Sequence, residues 1–193
     1  RFIGLVGKEL KKTENADALC TVWGKIYKRS IIEKNHIRFH DIREIGTYED
    51  GLFNLYYFQY VHKAIYINKY YYHYRKYNNQ SITTRYNSKL YVQWNRLFEI
   101  MEEYIQNNKL PELYQKALNN RVALSILGQG LNIVASNKTH VEKEKLIRDI
   151  LYMPRYRNAY KELKIKYFSS YWKIFYWAAK HGQSFMVYML IVI

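Results

Sequence analysis

The chain of 193 residues has only one cysteine, two prolines and 16 acidic residues. Because Cys20 is alone, no disulfide can form within the chain, and a multi-cysteine metal site is excluded. A lone thiol fits a reducing compartment and usually serves as a small core residue, so we expect Cys20 to be buried. Pro111 and Pro154 are expected to stand between helices.

Long apolar runs are also lacking, because none approaches the ~20 residues that a membrane-spanning helix needs. The last ten residues, SFMVYMLIVI, are apolar but too short to span a bilayer. The amino end shows no secretory signal pattern. The chain begins with Arg1 rather than Met, so we expect it to be a fragment of a longer protein.

Charge and tyrosine content are the positive features of the composition. The chain has 31 Lys and Arg residues against 16 Asp and Glu, which gives a net charge of +15. Such a surface attracts polyanions, which include nucleic acid, anionic lipid and phosphorylated substrates. The 22 tyrosines suit sugar faces, interfaces and membrane belts, although a tyrosine-rich core with bonded hydroxyls accounts for most of them.

The first part of the chain, up to about residue 84, carries mixed patterns. Ser30 with Glu33, and Thr47 with Asp50, match capping boxes, so each pair predicts the start of a helix. The stretches HIRFHDI and KAIYINKYYYHYRKY alternate polar with apolar or aromatic residues, which is typical of strands.

From Lys89 onward the spacing of apolar residues predicts helices throughout. One long helix is predicted between Pro111 and about residue 136, with a kink or close packing at Gly128 and Gly130. Thr139 with Glu142 predicts the start of another helix, and Gly182 the end of a later one. These segments form the predicted helical region, residues 85–193.

The stretch GTYEDGLFN places two carboxylates, those of Glu49 and Asp50, at the start of a predicted helix. Acidic side chains in a first turn meet free N–H groups and the positive end of the helix dipole, so capping alone would explain them. A carboxylate held there stays ionised and can also act as a general base. The pattern by itself leaves both interpretations open.

Three segments in order, VWGKIYKRSIIEKNHIRF, YEDGLFN and AIYINKYYYHYRKYNNQSIT, resemble the second half of bacterial family 2 glycosyltransferases. These enzymes have the GT-A fold and build capsule, lipopolysaccharide and other surface glycans. The resemblance covers about residues 20–84 and implies an α+β, mainly helical chain. Residues 1–84 would form a partial GT-A-type mixed sheet region on the acceptor side, followed by the helical region. Because so few strands cannot cover both faces of a sheet, we expect the two regions to pack together.

The resemblance implies an inverting sugar transfer with Asp50 as the base that deprotonates the acceptor hydroxyl and Glu49 as its support. Arg75 and Ser81 match residues that approach the diphosphate of the donor. An arginine fork and a hydroxyl suit that position, since negative charge grows on the leaving group. The alternative for Arg75 is an ordinary surface cation.

Trp23 and Lys25 match a frequent W-x-K motif of the family, which implies either the acceptor side of the site or simple packing. His73 is a further acceptor-side candidate, for which a structural role is the alternative. The sequence lacks the Asp-x-Asp motif through which the family holds Mn²⁺ or Mg²⁺. We therefore expect the metal in the full-length enzyme, none bound by this chain, and no activity from the chain alone.

The implied partners are a nucleotide-sugar donor and a glycan or lipid-linked acceptor. The implied location is the cytoplasm, with peripheral contact to the inner face of the plasma membrane and a homo-oligomer through the helical tail as further options. Two other classes stay open. The stretch KYYYHYRKYNNQSITTRY could stack on bases and neutralise phosphates. The tail, with Trp172, Trp177, Lys173 and Lys180 around the apolar Phe175, could lie on a membrane or form a buried core helix. We favour the glycosyltransferase, with no nucleic acid as partner.

Overall fold

The computed structural model describes residues 1–73 and 86–193, and within these ranges every regular element is a helix. The α-helices are α1 Arg29–Lys34, α2 Ile42–Ile45, α3 Glu49–Phe58, α4 Leu90–Asn107, α5 Glu112–Leu124, α6 Ile126–Val134, α7 His140–Tyr152, α8 Pro154–Glu162, α9 Ser170–Lys180 and α10 Ser184–Val192. Two 3-10 helices cover Gly7–Asn15 and Ile165–Tyr167.

The predicted mixed sheet does not form in residues 1–73 or 86–193, so the α+β fold class was wrong. Strand was predicted over residues 63–77, of which residues 63–73 are described and lie exposed along the surface, while 74–77 lie outside the described residues. A strand is stable only when a neighbouring strand pairs with its N–H and C=O groups, and composition alone does not supply that neighbour. The described chain is therefore all-helical.

The HIRFHDI stretch forms no strand, and its burial alternates only in part. Ile37 is buried, and Phe39 stacks on Phe53 of α3 with ring centroids 4.4 Å apart. His36 and Arg38 are exposed, and Phe39 is 52% exposed. The apolar residues of this stretch thus contact a helix rather than a sheet.

Several predicted helix boundaries are confirmed. Thr139 and Glu142 form the capping box of α7, in which the Glu142 carboxylate accepts the Thr139 N–H at 2.8 Å. Pro111 precedes α5, and Pro154 is the first residue of α8. Gly182 follows α9 with a φ of +70°, a conformation that glycine adopts without strain. Each of these signals acts within one or two turns of chain.

The other two capping boxes were wrong. The N-cap of α1 is Lys28, two residues before the predicted Ser30, and the N-cap of α3 is Tyr48, one residue after the predicted Thr47. Tyr48 takes a left-handed φ of 77°. Its ring is buried, so the core rather than a hydroxyl cap fixes where α3 begins.

The long helix predicted after Pro111 is divided at Ser125, between α5 and α6. Gly128 and Gly130 serve close packing instead. A Cβ added at Gly128 would lie 2.5 Å from the Trp94 ring, and one added at Gly130 would lie 2.3 Å from the Ile191 side chain. Neighbouring helices therefore approach α6 where it has no side chains.

One apolar core joins elements from both predicted regions. It contains Ile3 and Leu52 from the first region and Ile147 and Phe175 from the second, all at most 2% exposed. Cys20 also belongs to it, which confirms the buried thiol. Because the core crosses the sequence boundary, helices α4–α10 support the segment that carries α3.

Buried tyrosines make up a large part of this core, as one interpretation of the composition predicted. Tyr156, Tyr160 and Tyr176 are its largest fully buried side chains. The Tyr156 hydroxyl lies 2.7 Å from that of Ser125, and the Tyr160 hydroxyl donates to a backbone carbonyl at 3.1 Å. These bonds satisfy the polar tips that burial removes from water.

Candidate active site

Asp50 lies half-buried in the first turn of α3, but its carboxylate does not cap that helix. Its Oδ2 atom accepts a hydrogen bond from the backbone N–H of Val22 at 3.0 Å. The other oxygen accepts no hydrogen bond from the residues that the structure describes. One oxygen therefore fixes the side chain, while the other can receive a proton.

Asn54, one turn further along α3, holds the same loop in place. Its amide group donates to the carbonyl oxygens of Cys20 at 2.7 Å and Asp50 at 2.9 Å. Its own carbonyl accepts the Tyr27 hydroxyl at 2.9 Å, and the residue is fully buried. The sequence patterns did not single out Asn54. A polar residue four positions after Asp50, inside an apolar helix face, was the available signal.

Lys25 places a cation near the carboxylate. Its ammonium group donates to the backbone carbonyl of Thr21, and this bond fixes the side chain to the loop of residues 21–25. Burial lowers the pKa of Lys25, whereas the negative charge of the Asp50 carboxylate acts in the opposite direction. The Lys25 ammonium group is thus close enough to Asp50 to interact with it electrostatically.

Trp23 and Tyr72 bring a second segment of chain to this loop. Their rings stack with centroids 4.8 Å apart and 19° between planes, and Trp23 is 42% exposed. His73 follows Tyr72 directly and is exposed. The structure thus brings Trp23, Lys25 and Asp50 to one loop, with His73 next to the residue that Trp23 contacts.

The remaining predicted site residues are Glu49, Arg75 and Ser81. Glu49 is half-buried, and its carboxylate forms no hydrogen bond or ion pair with the described part of the chain. Arg75 and Ser81 lie outside the described residues, so their contact with a diphosphate stays a prediction. The same is true of most of the basic, tyrosine-rich stretch considered for nucleic acid.

Tyr48, immediately before α3, joins this helix to the core. Its hydroxyl donates to the Phe2 carbonyl at 2.7 Å and accepts from Arg121 at 2.8 Å, while the Cys20 thiol lies 2.8 Å away. Burial raises the pKa of Cys20, which keeps the thiol protonated and argues against a nucleophile. Tyr48 and Arg121 also line a mainly apolar cavity of about 360 Å³, whereas Asp50 contacts the loop at Val22.

Residues 1–73 and 86–193 contain no group of three His, Cys, Asp or Glu side chains placed to hold a metal ion. The Mn²⁺ or Mg²⁺ expected for a full-length enzyme stays a prediction. In the same ranges, no helix combines the length and apolar character needed to cross a bilayer.

Comparison with known proteins gives one informative similarity. The chain is 31% identical over 102 residues to the Bacillus subtilis (strain 168) protein named "Putative glycosyltransferase EpsH". The match covers 53% of this chain and 29% of that relative, so the chain spans less than a third of the relative's length. No family model matches the chain, and no solved structure matches it. The chain is thus similar to a protein named as a glycosyltransferase.

Proposed function

We propose that this chain is the acceptor-side part of a glycosyltransferase, with Asp50 as its catalytic base. The observation that carries the proposal is the hydrogen bond from the Val22 N–H to one oxygen of the Asp50 carboxylate. This carboxylate does not cap its own helix. A general base needs a lone pair held at a fixed position within reach of the substrate. The similarity to a protein named as a glycosyltransferase supports the same class of reaction.

In the proposed reaction, Asp50 takes the proton of an acceptor hydroxyl as the hydroxyl oxygen attacks the anomeric carbon of the donor. Attack comes from the side opposite the leaving nucleoside diphosphate, so the configuration inverts. The proton then passes from Asp50 to solvent. Lys25 supplies positive charge near the Asp50 carboxylate, and Glu49 supports Asp50 from the neighbouring position.

The stacked rings of Trp23 and Tyr72 are the proposed contact for the acceptor sugar. Aromatic rings present a rigid apolar face, and such faces suit the C–H side of a sugar ring. Both rings are about half exposed, with 42% of Trp23 and 49% of Tyr72 open to solvent. Arg75 and Ser81 remain the proposed contacts for the donor diphosphate.

The test is a sugar-transfer assay on the intact natural gene product, with nucleotide-sugars, Mn²⁺ or Mg²⁺, and glycan acceptors. General base catalysis contributes about 10² to 10⁴ in rate, so Asp50→Asn should lower turnover by at least about a hundredfold. Undiminished turnover in that variant would overturn the assignment of Asp50. The chain of 193 residues alone should show no transfer, and turnover by it would contradict the need for a separate nucleotide-binding part.

We further propose an anionic membrane as the surface on which the enzyme meets a lipid-linked acceptor. Residues 163–193 contain Lys but neither Asp nor Glu. Although Phe175 is buried in the core, the outward sides of α9 and α10 expose six large apolar side chains: Tyr171, Ile174, Trp177, Phe185, Met189 and Val192. The Glu144 carboxylate of α7 accepts a hydrogen bond from Ser184 at the start of α10, so the surface is not free of negative charge. Exposed apolar groups on a segment whose own charged side chains are lysines suit the interface of an anionic bilayer.

A further inference from the structure

A second candidate site lies at the carboxyl end of α3, away from Asp50 at its start. A cavity of about 370 Å³ opens there between α3 and the segment that follows α1. Its polar lining comes from Asn35, His36, Arg38, His40, Tyr56, Gln59 and Tyr60. Among the described residues that line this cavity there is no carboxylate, and Arg38 gives it a positive charge.

The segment after α1 brings basic side chains to this cavity. His36 takes a left-handed φ of 51°, and residues 37–40 belong to no regular element. Ile37 is buried against α3 and also borders the cavity. Arg38 and His40 line the same cavity.

Tyr56 orients one of these groups. Its hydroxyl lies 3.2 Å from Nε2 of His40. Burial raises the pKa of Tyr56 to about 12, so the phenol keeps its proton at neutral pH and can donate it to Nε2. The Nδ1 atom of His40 forms no hydrogen bond with the described residues.

The charge of Arg38 is not neutralised by the described part of the chain. Its guanidinium donates to the backbone carbonyl of the preceding residue at 2.9 Å, and no described carboxylate lies within ion-pair distance. Nearby carboxylates are already engaged, since Asp41 pairs with Arg43 at 2.6 Å and Glu44 pairs with Arg96 at 2.9 Å. Most of the donors of Arg38 thus remain for a ligand.

We propose that this cavity binds a phosphorylated sugar. Arginine and histidine donors suit a tetrahedral phosphate, and charge-assisted hydrogen bonds of this kind are the strong ones. The rings of Tyr56 and Tyr60 offer apolar faces for a sugar. The volume lies within the range of small-molecule sites, about 300 to 1,000 Å³. This inference goes beyond the proposed function and does not depend on the role of Asp50.

Calorimetric titration of the chain with glucose 1-phosphate, inorganic pyrophosphate and glucose tests the proposal. The two phosphate compounds should bind and glucose should not, because the site is built from cations and donors. Loss of a charge-assisted contact should weaken binding of glucose 1-phosphate about tenfold in Arg38→Gln. His36→Gln, also an exposed position, should weaken it as well and serves as a second variant.

The matched control is Arg148→Gln, which removes one exposed positive charge from α7. This control should bind like the unchanged chain. Equal weakening in the Arg38 and Arg148 variants would mean general attraction by the net charge, and would overturn the proposal. Failure of both phosphate compounds to bind, together with no loss for Arg38→Gln on vesicles that carry a lipid diphosphate, would also overturn it, and so would equal binding of glucose. Circular dichroism of each variant confirms that the helices are intact.

The same phosphate chemistry occurs on soluble sugar phosphates and on lipid-linked diphosphates, and a second arm separates these sources. Flotation with neutral phosphatidylcholine vesicles that carry farnesyl diphosphate presents the group on a membrane. A loss in Arg38→Gln only on these vesicles assigns the site to a lipid-linked ligand. A loss with glucose 1-phosphate assigns it to a soluble one. A loss with neither contradicts the site.

Discussion

The guanidinium of Arg121 in α5 lies 4.1 Å above the ring of Tyr48, the residue that precedes α3. It donates to the Tyr48 hydroxyl at 2.8 Å and to the backbone carbonyl of Ile3 at 2.6 Å, and Asp17 pairs with it at 3.0 Å. One buried cation therefore joins the amino-terminal segment, α5 and the start of α3. The first turn of α3, which carries Asp50, is positioned from the helical region.

Replacing Arg121 by Met should lower the free energy of unfolding by about 3 kcal/mol. The hydroxyl of Tyr48 and the carbonyl of Ile3 would lose their buried partner, and removal of one member of such a group is strongly destabilising. Urea unfolding followed by circular dichroism measures the change. Asp17→Asn is the control, because that carboxylate is 60% exposed and its pair contributes less than about 1 kcal/mol. Equal effects of the two substitutions would contradict the central role of Arg121.

Asparagine and alanine at position 50 should separate the structural from the catalytic role of Asp50. Asp50→Asn keeps an acceptor oxygen for the Val22 N–H, so its stability should stay within about 0.5 kcal/mol of the original. Asp50→Ala leaves that N–H without its partner and should be about 1 kcal/mol less stable. In the intact gene product both should abolish transfer. An alanine variant with unchanged stability would show that the hydrogen bond from the Val22 N–H to Asp50 does not stabilise the fold.

Asn54→Leu should destabilise the chain by about 2 to 3 kcal/mol. The substitution keeps a similar volume but leaves the Cys20 carbonyl and the Tyr27 hydroxyl without their buried partner. Urea unfolding measures the loss, and the exposed Asn137→Ala in the helical region should change stability by less than about 0.5 kcal/mol. If both variants unfold alike, Asn54 does not hold the loop.

Stability should fall as the pH rises above about 10, the pKa of tyrosine in an unfolded chain. Burial raises the pKa of Tyr27 and of Tyr56 to about 12, and that of Tyr156 also rises. Between the unfolded and folded values the unfolded chain loses protons that the folded chain keeps, so alkali favours unfolding. Unfolding midpoints in urea across this pH range test this. Tyr56→Phe should make the decline shallower, and no decline at all would contradict the burial of these hydroxyls.

The outward face of α9 and α10 should bind anionic vesicles. Trp177→Ser together with Phe185→Ser removes two large apolar groups, 47% and 67% exposed, and should release the chain from vesicles that contain phosphatidylglycerol. Flotation measures the bound fraction, with neutral vesicles for comparison. Val141→Ser on α7, where Val141 is 77% exposed, is the matched control and should leave binding unchanged. If the double variant instead abolishes self-association without changing vesicle binding, the face is an interface between copies.

The failure of the predicted sheet has a physical cause that sequence patterns do not contain. Residues 63–73 have the composition of strands and are exposed, because pairing depends on a neighbour from elsewhere in the chain. Within residues 1–73 and 86–193 no segment provides one. Likewise, the apolar residues of HIRFHDI contact α3, because a helix offers them a packing surface as well as a sheet does.

The candidate site also has features that the local sequence predicts and features that depend on distant contacts. The acidic pair at the start of a helix could be predicted, since Glu49 and Asp50 are the first residues of α3. That Asp50 turns to the Val22 N–H rather than to its own helix could not, because the two residues are separated by 28 positions. The Arg121–Tyr48 contact joins residues 73 positions apart, so no local sequence pattern predicts it.

By itself the sequence determined the helices after Lys89, the capping box at Thr139, and the helix end at Gly182, because each depends on atoms within a turn or two of chain. The tertiary structure alone decided that the amino-terminal part packs without a sheet and that Tyr48 begins α3. It also decided which way Asp50 faces. These outcomes depend on burial against helices that are distant in the sequence. Such burial contributes free energy only in the folded chain, where those helices are in contact.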